Sequence, residues 1–128
     1  NLIPNLTALE NVELPLIYRG VGKRERTELS RKALIKVGLE ARMSHRPSEM
    51  SGGQQQRVAI ARALITDAKY ILADEPTGNL DKENRRKIVE LLQQIAHEQD
   101  RCVIVVTHSD YVKKKCDICY EMGDDDEE

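Results

Sequence analysis

The chain has 128 residues, 40% hydrophobic and 33% charged, with a net charge of −2, the balance of one globular domain or a large piece of one. With no Trp or Phe and only four Tyr, the core must be built from Leu, Ile, Val and Ala, and dispersed bases with few aromatics argue against nucleic-acid binding. The longest apolar run, Cys102–Val106, is far below the roughly 20 residues of a membrane-spanning helix, and an odd count of three cysteines gives no disulfide framework and favours a reducing cytosol.

No secretory leader is visible, and the chain begins with Asn1 rather than Met, so a fragment of a longer protein is expected. Thr7-Ala8-Leu9-Glu10 has the form of a capping box. The helix it opens is expected to end or kink at Pro15, with Gly20 and Gly22 marking a loop. From Lys23 to Val37, the spacing of Leu29, Ala33, Leu34 and Val37 predicts one apolar helix face. Gly38 followed by Leu39 suits a left-handed C-cap with a hydrophobic contact behind it. A short stretch from Glu40 to Ser44 leads to Pro47, so the first fifty residues read as a small helical unit.

Ser51-Gly52-Gly53-Gln54 repeats the capping form as S-x-x-Q and opens a helix to about Ile65, with Val58, Ala61 and Ile65 on one side. Asp67-Ala68 turns the chain into a strand, Tyr70–Ala73. After Pro76-Thr77-Gly78-Asn79, a helix is predicted from Lys82 to Glu98, with Ile88, Leu91, Leu92 and Ile95 at core spacing. The β-branched run Cys102–Val106 has the pattern of a strand buried on both faces of a parallel sheet, and strand, helix, strand makes a βαβ unit. Cys116-Asp117-Ile118-Cys119 has C-x-x-C spacing, but it lacks a second ligand pair for zinc and runs into Ile118–Met122, which reads as a strand rather than the helix of a redox motif. The five acids of 124–128 are expected to be a solvated, disordered tail.

Four places carry candidate chemistry. A helix start exposes unpaired amides and the positive end of the helix dipole, and Gly52 and Gly53 remove the Cβ atoms that would keep a phosphate from the backbone. Ser51 either caps the helix or turns its hydroxyl to a phosphate oxygen; alone, the turn is also a plain helix cap. Asp74 and Glu75 end a hydrophobic strand, where ligands of open parallel sheets bind. Asp74 suits Mg²⁺ held through water, and Glu75, facing another direction, suits orienting or deprotonating an attacking water; a solvated strand end is the bland alternative. His108 ends the second hydrophobic run, placed either to donate to a phosphate oxygen or simply to cap. Asp81 follows Gly78-Asn79-Leu80 as a carboxylate at a helix start, in isolation an Asp cap. His45 and His97 are assigned no role.

Taken in order, the glycine turn, the Asp-Glu strand, the Asn-Leu-Asp turn and the strand-His resemble the ATP-binding domain of ATP-binding-cassette (ABC) transporters over nearly the whole chain. Met50–Gln54 looks like the family signature, with Met where Leu is commoner. Ile71–Glu75 looks like the Walker B strand and catalytic glutamate, Gly78–Asp81 the D-loop and His108 the switch histidine. The wording Asn1 to Val12, with Gln54-Gln55-Gln56-Arg57, looks most like the macrolide-export and lipoprotein-release branch.

The resemblance implies an α/β fold: part of a P-loop NTPase core with parallel strands, preceded by a helical subdomain. It divides the chain into a helical signature subdomain (1–55), the C-terminal part of the ATPase core (56–123) and the acidic tail (124–128). It also implies ATP and Mg²⁺ as cofactors and two ATPase domains closing head to tail. Ser51, Gly52, Gly53 and Gln54 would then touch the γ-phosphate held by the other domain. Asp74 (metal), Glu75 and His108 (catalytic) would serve their own domain's ATP, and Asp81 would tie the two sites. A transmembrane subunit would dock on the helical unit, at the inner face of the cell membrane. The sequence departs from the family in one large respect: no G-x-x-x-x-G-K-[ST] loop occurs in the 128 residues. The expectation is therefore an ATPase piece that alone neither binds ATP tightly nor turns it over, and whose exposed strands drive homo-oligomer formation. A non-catalytic module that docks a membrane subunit or a full-length ATPase is the alternative. An ABC-type ATPase of DNA repair or translation is disfavoured for want of a coiled-coil insertion or second domain.

Overall fold

The computed structural model describes residues 2–66, 69–98 and 101–120. Three helices come first, α1 (Ala8–Tyr18), α2 (Lys23–Lys36) and α3 (Gly52–Leu64), with single 3₁₀ turns at Glu40–Arg42 and Pro47–Glu49 between α2 and α3. Then follow β1 (Tyr70–Asp74), α4 (Lys82–Glu98), β2 (Cys102–Val106) and the short α5 (Asp110–Lys115).

α1 opens with the expected box: Thr7 Oγ1 accepts the Glu10 N–H at 3.1 Å, and Glu10 Oε1 accepts the Thr7 N–H at 2.8 Å. It does not end at Pro15 but runs through it to Tyr18. Pro15 cannot donate to the Asn11 carbonyl, yet Leu16 is buried beyond it and the helix end is well bonded, so packing and capping hold the final turn. Both α1 and α2 close with a glycine in the left-handed region, Gly20 at φ +77° and Gly38 at φ +81°. At the second, the Leu39 N–H reaches the Leu34 carbonyl at 2.9 Å and the Gly38 N–H the Ile35 carbonyl at 3.0 Å, a Schellman closure with Leu39 buried behind it. Gly20 and Val21 repeat the pattern on Ile17 and Leu16.

One continuous core joins Val12, Leu34, Leu39, Val58, Ala61, Ile71, Ile88 and Ile95. α3 packs on α1 and α2 and also on α4, so a division near residue 55 falls inside a helix that serves both sides. Leu29, expected in the apolar face of α2, is exposed, and Ser30 is buried there with Ala33 and Leu34. The buried face is thus shifted by one position, with the small Ser30 inside it. On α4, Val89 is buried where Leu91 is only partly covered.

β1 and β2 form a two-stranded parallel sheet, Tyr70 opposite Cys102 through Asp74 opposite Val106, with α4 as the crossover. The expectation that Cys102–Val106 is buried on both faces is overturned. Ile71, Ala73, Val103 and Val105 face the helices, whereas Tyr70, Leu72, Ile104 and Val106 form a bare apolar face, with Leu72 69% exposed. No described element covers that side, so strand alternation leaves half of each strand's apolar residues in water. The strand expected at Ile118–Met122 is also absent over Ile118–Tyr120, which form no regular element. Glu121, Met122 and the 124–128 tail lie outside the described residues, as does the Asp67-Ala68 turn.

Candidate functional site

At the start of α3, Ser51 Oγ accepts the Gln54 N–H at 3.1 Å, and Gln54 Oε1 accepts the Ser51 N–H at 3.0 Å. The Ser51 hydroxyl is therefore a cap in this state. The Ser51 carbonyl takes the Gln55 N–H at 2.9 Å, and Gln55 Nε2 ties the helix to the Pro47 and Met50 carbonyls. Among the described residues, the amides of Gly52 and Gly53 have no protein acceptor. In α1 the equivalent amides are satisfied by the segment between α2 and α3, Ala8 N–H by the His45 carbonyl and Leu9 N–H by the Met43 carbonyl. The α3 terminus thus keeps two donors at the positive end of a four-turn helix dipole.

The two glycines differ in what they permit. A Cβ at Gly53 would lie 3.2 Å from Asn84 Oδ1 in α4, and one at Gly52 would lie 3.4 Å from a Leu80 methyl. The glycine turn therefore sits directly against the 79–84 segment. Asp81 caps α4, its Oδ1 accepting the Asn84 backbone N–H at 2.8 Å, so its side chain fixes the backbone from which Asn84 projects.

The second cluster lies at the C-terminal ends of the strands. Asp74 is exposed on the bare side of the sheet, and its carboxylate has no protein partner among the described residues. Glu75 turns the other way because its backbone enters the left-handed region at φ +46°, unusual for a residue with a Cβ and costing on the order of 1 kcal/mol. That turn is held from both sides: Glu75 N–H to the Val106 carbonyl at 2.6 Å, and Gly78 N–H to the Glu75 carbonyl at 3.1 Å. The Glu75 side chain then meets the β2–α5 loop. Oε1 accepts the His108 backbone N–H at 2.7 Å, and Oε2 accepts the Thr107 hydroxyl at 3.3 Å. The His108 ring is fully exposed, with Nε2 4.0 Å from Oε1. It is the His108 amide, more than its imidazole, that holds the carboxylate.

So the structure forms two groups from the sequence candidates: Ser51–Gln54 beside the Leu80–Asn84 segment, and Glu75 with His108. Asp74 stands next to Glu75 in the chain but points away from it. Among the described residues no three His, Cys, Asp or Glu side chains converge into a metal cage. An unpartnered carboxylate at a strand end fits an ion that keeps most of its waters and takes few protein ligands, as Mg²⁺ does, and not one that needs a protein-only cage. Cys116 Sγ donates to the Val112 carbonyl at 3.2 Å, and burial, with smaller contributions from Cys119 and Asp117, pushes its thiol pKa up, away from the reactive thiolate form.

Residues 1–78 match the family described as ABC transporter. The chain belongs to the ABC transporter family. It is 57% identical over 109 residues to an uncharacterized ABC transporter ATP-binding protein of Thermotoga maritima, covering 85% of this chain and 46% of that protein. It is 44% identical over 124 residues to the macrolide export ATP-binding/permease protein MacB of Pasteurella multocida, covering 97% of this chain and 19% of that one. Among solved structures, a dimeric ATP-binding cassette in a post-hydrolysis state bound to ADP and Pi superposes with a TM-score of 0.78 at 47% identity, covering 90% of this chain and 51% of that chain. This ABC-family chain thus has the cassette's α/β architecture and spans about half the length of the ATP-binding proteins it matches.

Two residues of these clusters and one outside them escape a reading by motif. Thr107 and Asn84 act through tertiary contacts, and neither has a spacing signal. Asn11, fully buried in α1, accepts the Ile3 N–H and donates to the Ile3, Leu6 and Thr7 carbonyls. Its polar side chain among Ala8, Val12 and Leu16 was the one available sign.

Proposed function

We propose that this chain supplies the signature and hydrolytic parts of an ATP site in the ATP-binding component of an ABC transporter, where ATP binding and hydrolysis drive transport. The carrying observation is the Glu75 carboxylate at the end of β1, gripped by the Thr107–His108 loop on a strained backbone. Strain of this kind collects where geometry serves chemistry. Glu75 orients and deprotonates the attacking water, and the exposed His108 ring donates to phosphate. Asp74 holds Mg²⁺ through water, the ion supplying charge neutralisation on the phosphates when bound.

The free amides of Gly52 and Gly53, with Ser51 and Gln54 around them, receive the γ-phosphate of ATP bound to a second ATPase domain, in a head-to-tail pair. The adjoining Asp81 turn links the two sites across that pair. A triphosphate cradle of the G-x-x-x-x-G-K-[ST] type is not among the 128 residues and comes from outside them. The helical unit, residues 1–55, docks a transmembrane subunit, which places the protein in the cytoplasm against the inner face of the cell membrane. No helix among the described residues is long and apolar enough to cross a membrane. The bare sheet face makes these 128 residues by themselves self-associating.

The test is Glu75→Gln in the full-length protein. Steady-state ATP turnover is expected to fall by roughly 10²-fold or more while ATP still binds. Turnover within threefold of wild type would refute the assignment. Calorimetric titration of Mg-ATP into the 128 residues alone is expected to show no micromolar affinity, and such affinity would refute the need for an outside cradle.

A further inference from the structure

We infer that Thr107 is a positioning residue for the Glu75 carboxylate. The inference rests on the reading of Glu75 as the base of the ATP site. The Thr107 hydroxyl has one proton and two acceptor sites. The Ser109 N–H, 3.0 Å away, occupies an acceptor site on Oγ1. The hydroxyl proton is thereby free to go to the other neighbour, Glu75 Oε2 at 3.3 Å. A backbone amide thus sets the direction of a hydroxyl, and the hydroxyl sets the rotation of a carboxylate.

The geometry requires two donors. The last torsion of a glutamate is broad and poorly restrained by its own rotamer preferences. A single bond, from His108 N–H to Oε1 at 2.7 Å, pins one oxygen and leaves the other to swing about it. Thr107 supplies the second point, on the opposite oxygen, so the plane of the carboxylate is held. Each oxygen spends one lone pair on its donor and retains another, so the grip leaves the group able to accept a proton.

The donors belong to consecutive residues at the end of β2, and the carboxylate follows β1. Their relative placement is set by the parallel register that puts Asp74 opposite Val106. Ser109 is itself anchored, as the N-cap of α5, by the Val112 N–H at 3.4 Å from its Oγ. The line of bonds from α5 to Glu75 therefore passes through the Thr107 hydroxyl.

Thr107→Val, which keeps the branched shape and removes the hydroxyl, tests this in the full-length protein, with Thr107→Ser restoring the donor and Thr107→Ala as a second hydroxyl-free variant should valine fail to fold. kcat for ATP is expected to fall about 10- to 100-fold in Val or Ala, the scale of a misplaced catalytic group, with KM within about twofold. Ser is expected to recover kcat to within about threefold, since it restores the hydrogen bond. Hydrogen exchange at the His108 amide, which needs no nucleotide, is expected to quicken about tenfold in Val or Ala, as loss of one part-buried hydrogen bond implies, and to stay at the wild-type rate in Ser. Wild-type kcat in the hydroxyl-free variants, a serine variant as slow as they are, or unchanged His108 exchange would overturn the inference. If Glu75→Gln keeps its turnover while Thr107→Val still speeds His108 exchange, the base assignment fails and the positioning contact stands.

Discussion

Replacing Asn11 by aspartate changes a single atom type at the most heavily hydrogen-bonded side chain of the helical unit. Asn11 Oδ1 takes the Ile3 N–H at 2.8 Å, and Nδ2 lies 3.2, 3.2 and 3.0 Å from the carbonyls of Ile3, Leu6 and Thr7. Two of these carbonyls have another donor: Ile3 from the Leu6 N–H, and Thr7 from the Asn11 backbone amide. Only the Ile3 N–H and the Leu6 carbonyl depend on the side chain. Asn11→Ala therefore orphans one donor and one acceptor, and at about 1–3 kcal/mol for each buried unpaired group, reduced by water reaching the partly exposed 3–6 segment, a loss of about 2–3 kcal/mol follows.

Asn11→Asp keeps the acceptor for Ile3 but aims a second oxygen at three carbonyl oxygens. At neutral pH the folded state holds either a buried carboxylate without a cation or a carboxylic acid, and both cost more than the alanine gap, about 3–5 kcal/mol. The carboxyl pKa is raised in this folded state, so the penalty is full above that folded value. It shrinks as pH falls toward the unfolded value near about 3.9, because the acid form regains one donor. Urea denaturation followed by circular dichroism at neutral and mildly acidic pH gives both numbers. Aspartate no more damaging than alanine at neutral pH, or a penalty that does not ease on acidification, would refute the account of Asn11 as an obligatory donor.

Gly38→Ala forces a Cβ into φ +81° although nothing lies within 4 Å of it. The loss in denaturant unfolding should therefore be pure backbone strain, about 1 kcal/mol, with no repacking of Leu39. Cys116 should be alkylated more slowly than Cys119, although both are exposed, when followed by peptide mass mapping near neutral pH, and its rate should keep climbing as pH rises, because its raised pKa limits the thiolate. Leu72→Lys with Ile104→Thr, on the bare sheet face, should lower self-association of the 128 residues in sedimentation velocity while costing about 1 kcal/mol of stability or less, since Leu72 is largely and Ile104 about half in water. Unchanged association would show that another surface drives it.

The capping boxes at Thr7 and Ser51, the Gly38 closure, the 82–98 helix and the two strands were all legible in the sequence. Each depends on neighbours within a few residues, where spacing and backbone preference act directly. The family resemblance was legible for the same reason, since the ordered string of motifs survives without knowledge of contacts. The misreadings share a different cause. Pro15 does not end α1 because packing beyond it outweighs a local preference, and Leu29 yields its core place to Ser30 because the neighbouring helices cover α2 one position round. Cys102–Val106 reads as doubly buried, yet burial depends on what covers each face, and only one face is covered by described residues.

Sequence by itself determined where the two strands and most of the helices lie and which side chains have the chemistry for phosphate, metal and proton transfer. Tertiary structure alone decided their mutual arrangement. It held the Glu75 turn at a strained φ, set the Thr107 hydroxyl and the His108 amide on opposite oxygens of its carboxylate, and placed Gly53 against Asn84. Such contacts bring together residues some thirty positions apart. Periodicity and propensity act over a turn or a strand, whereas strand register and helix packing set which distant groups come within hydrogen-bonding reach.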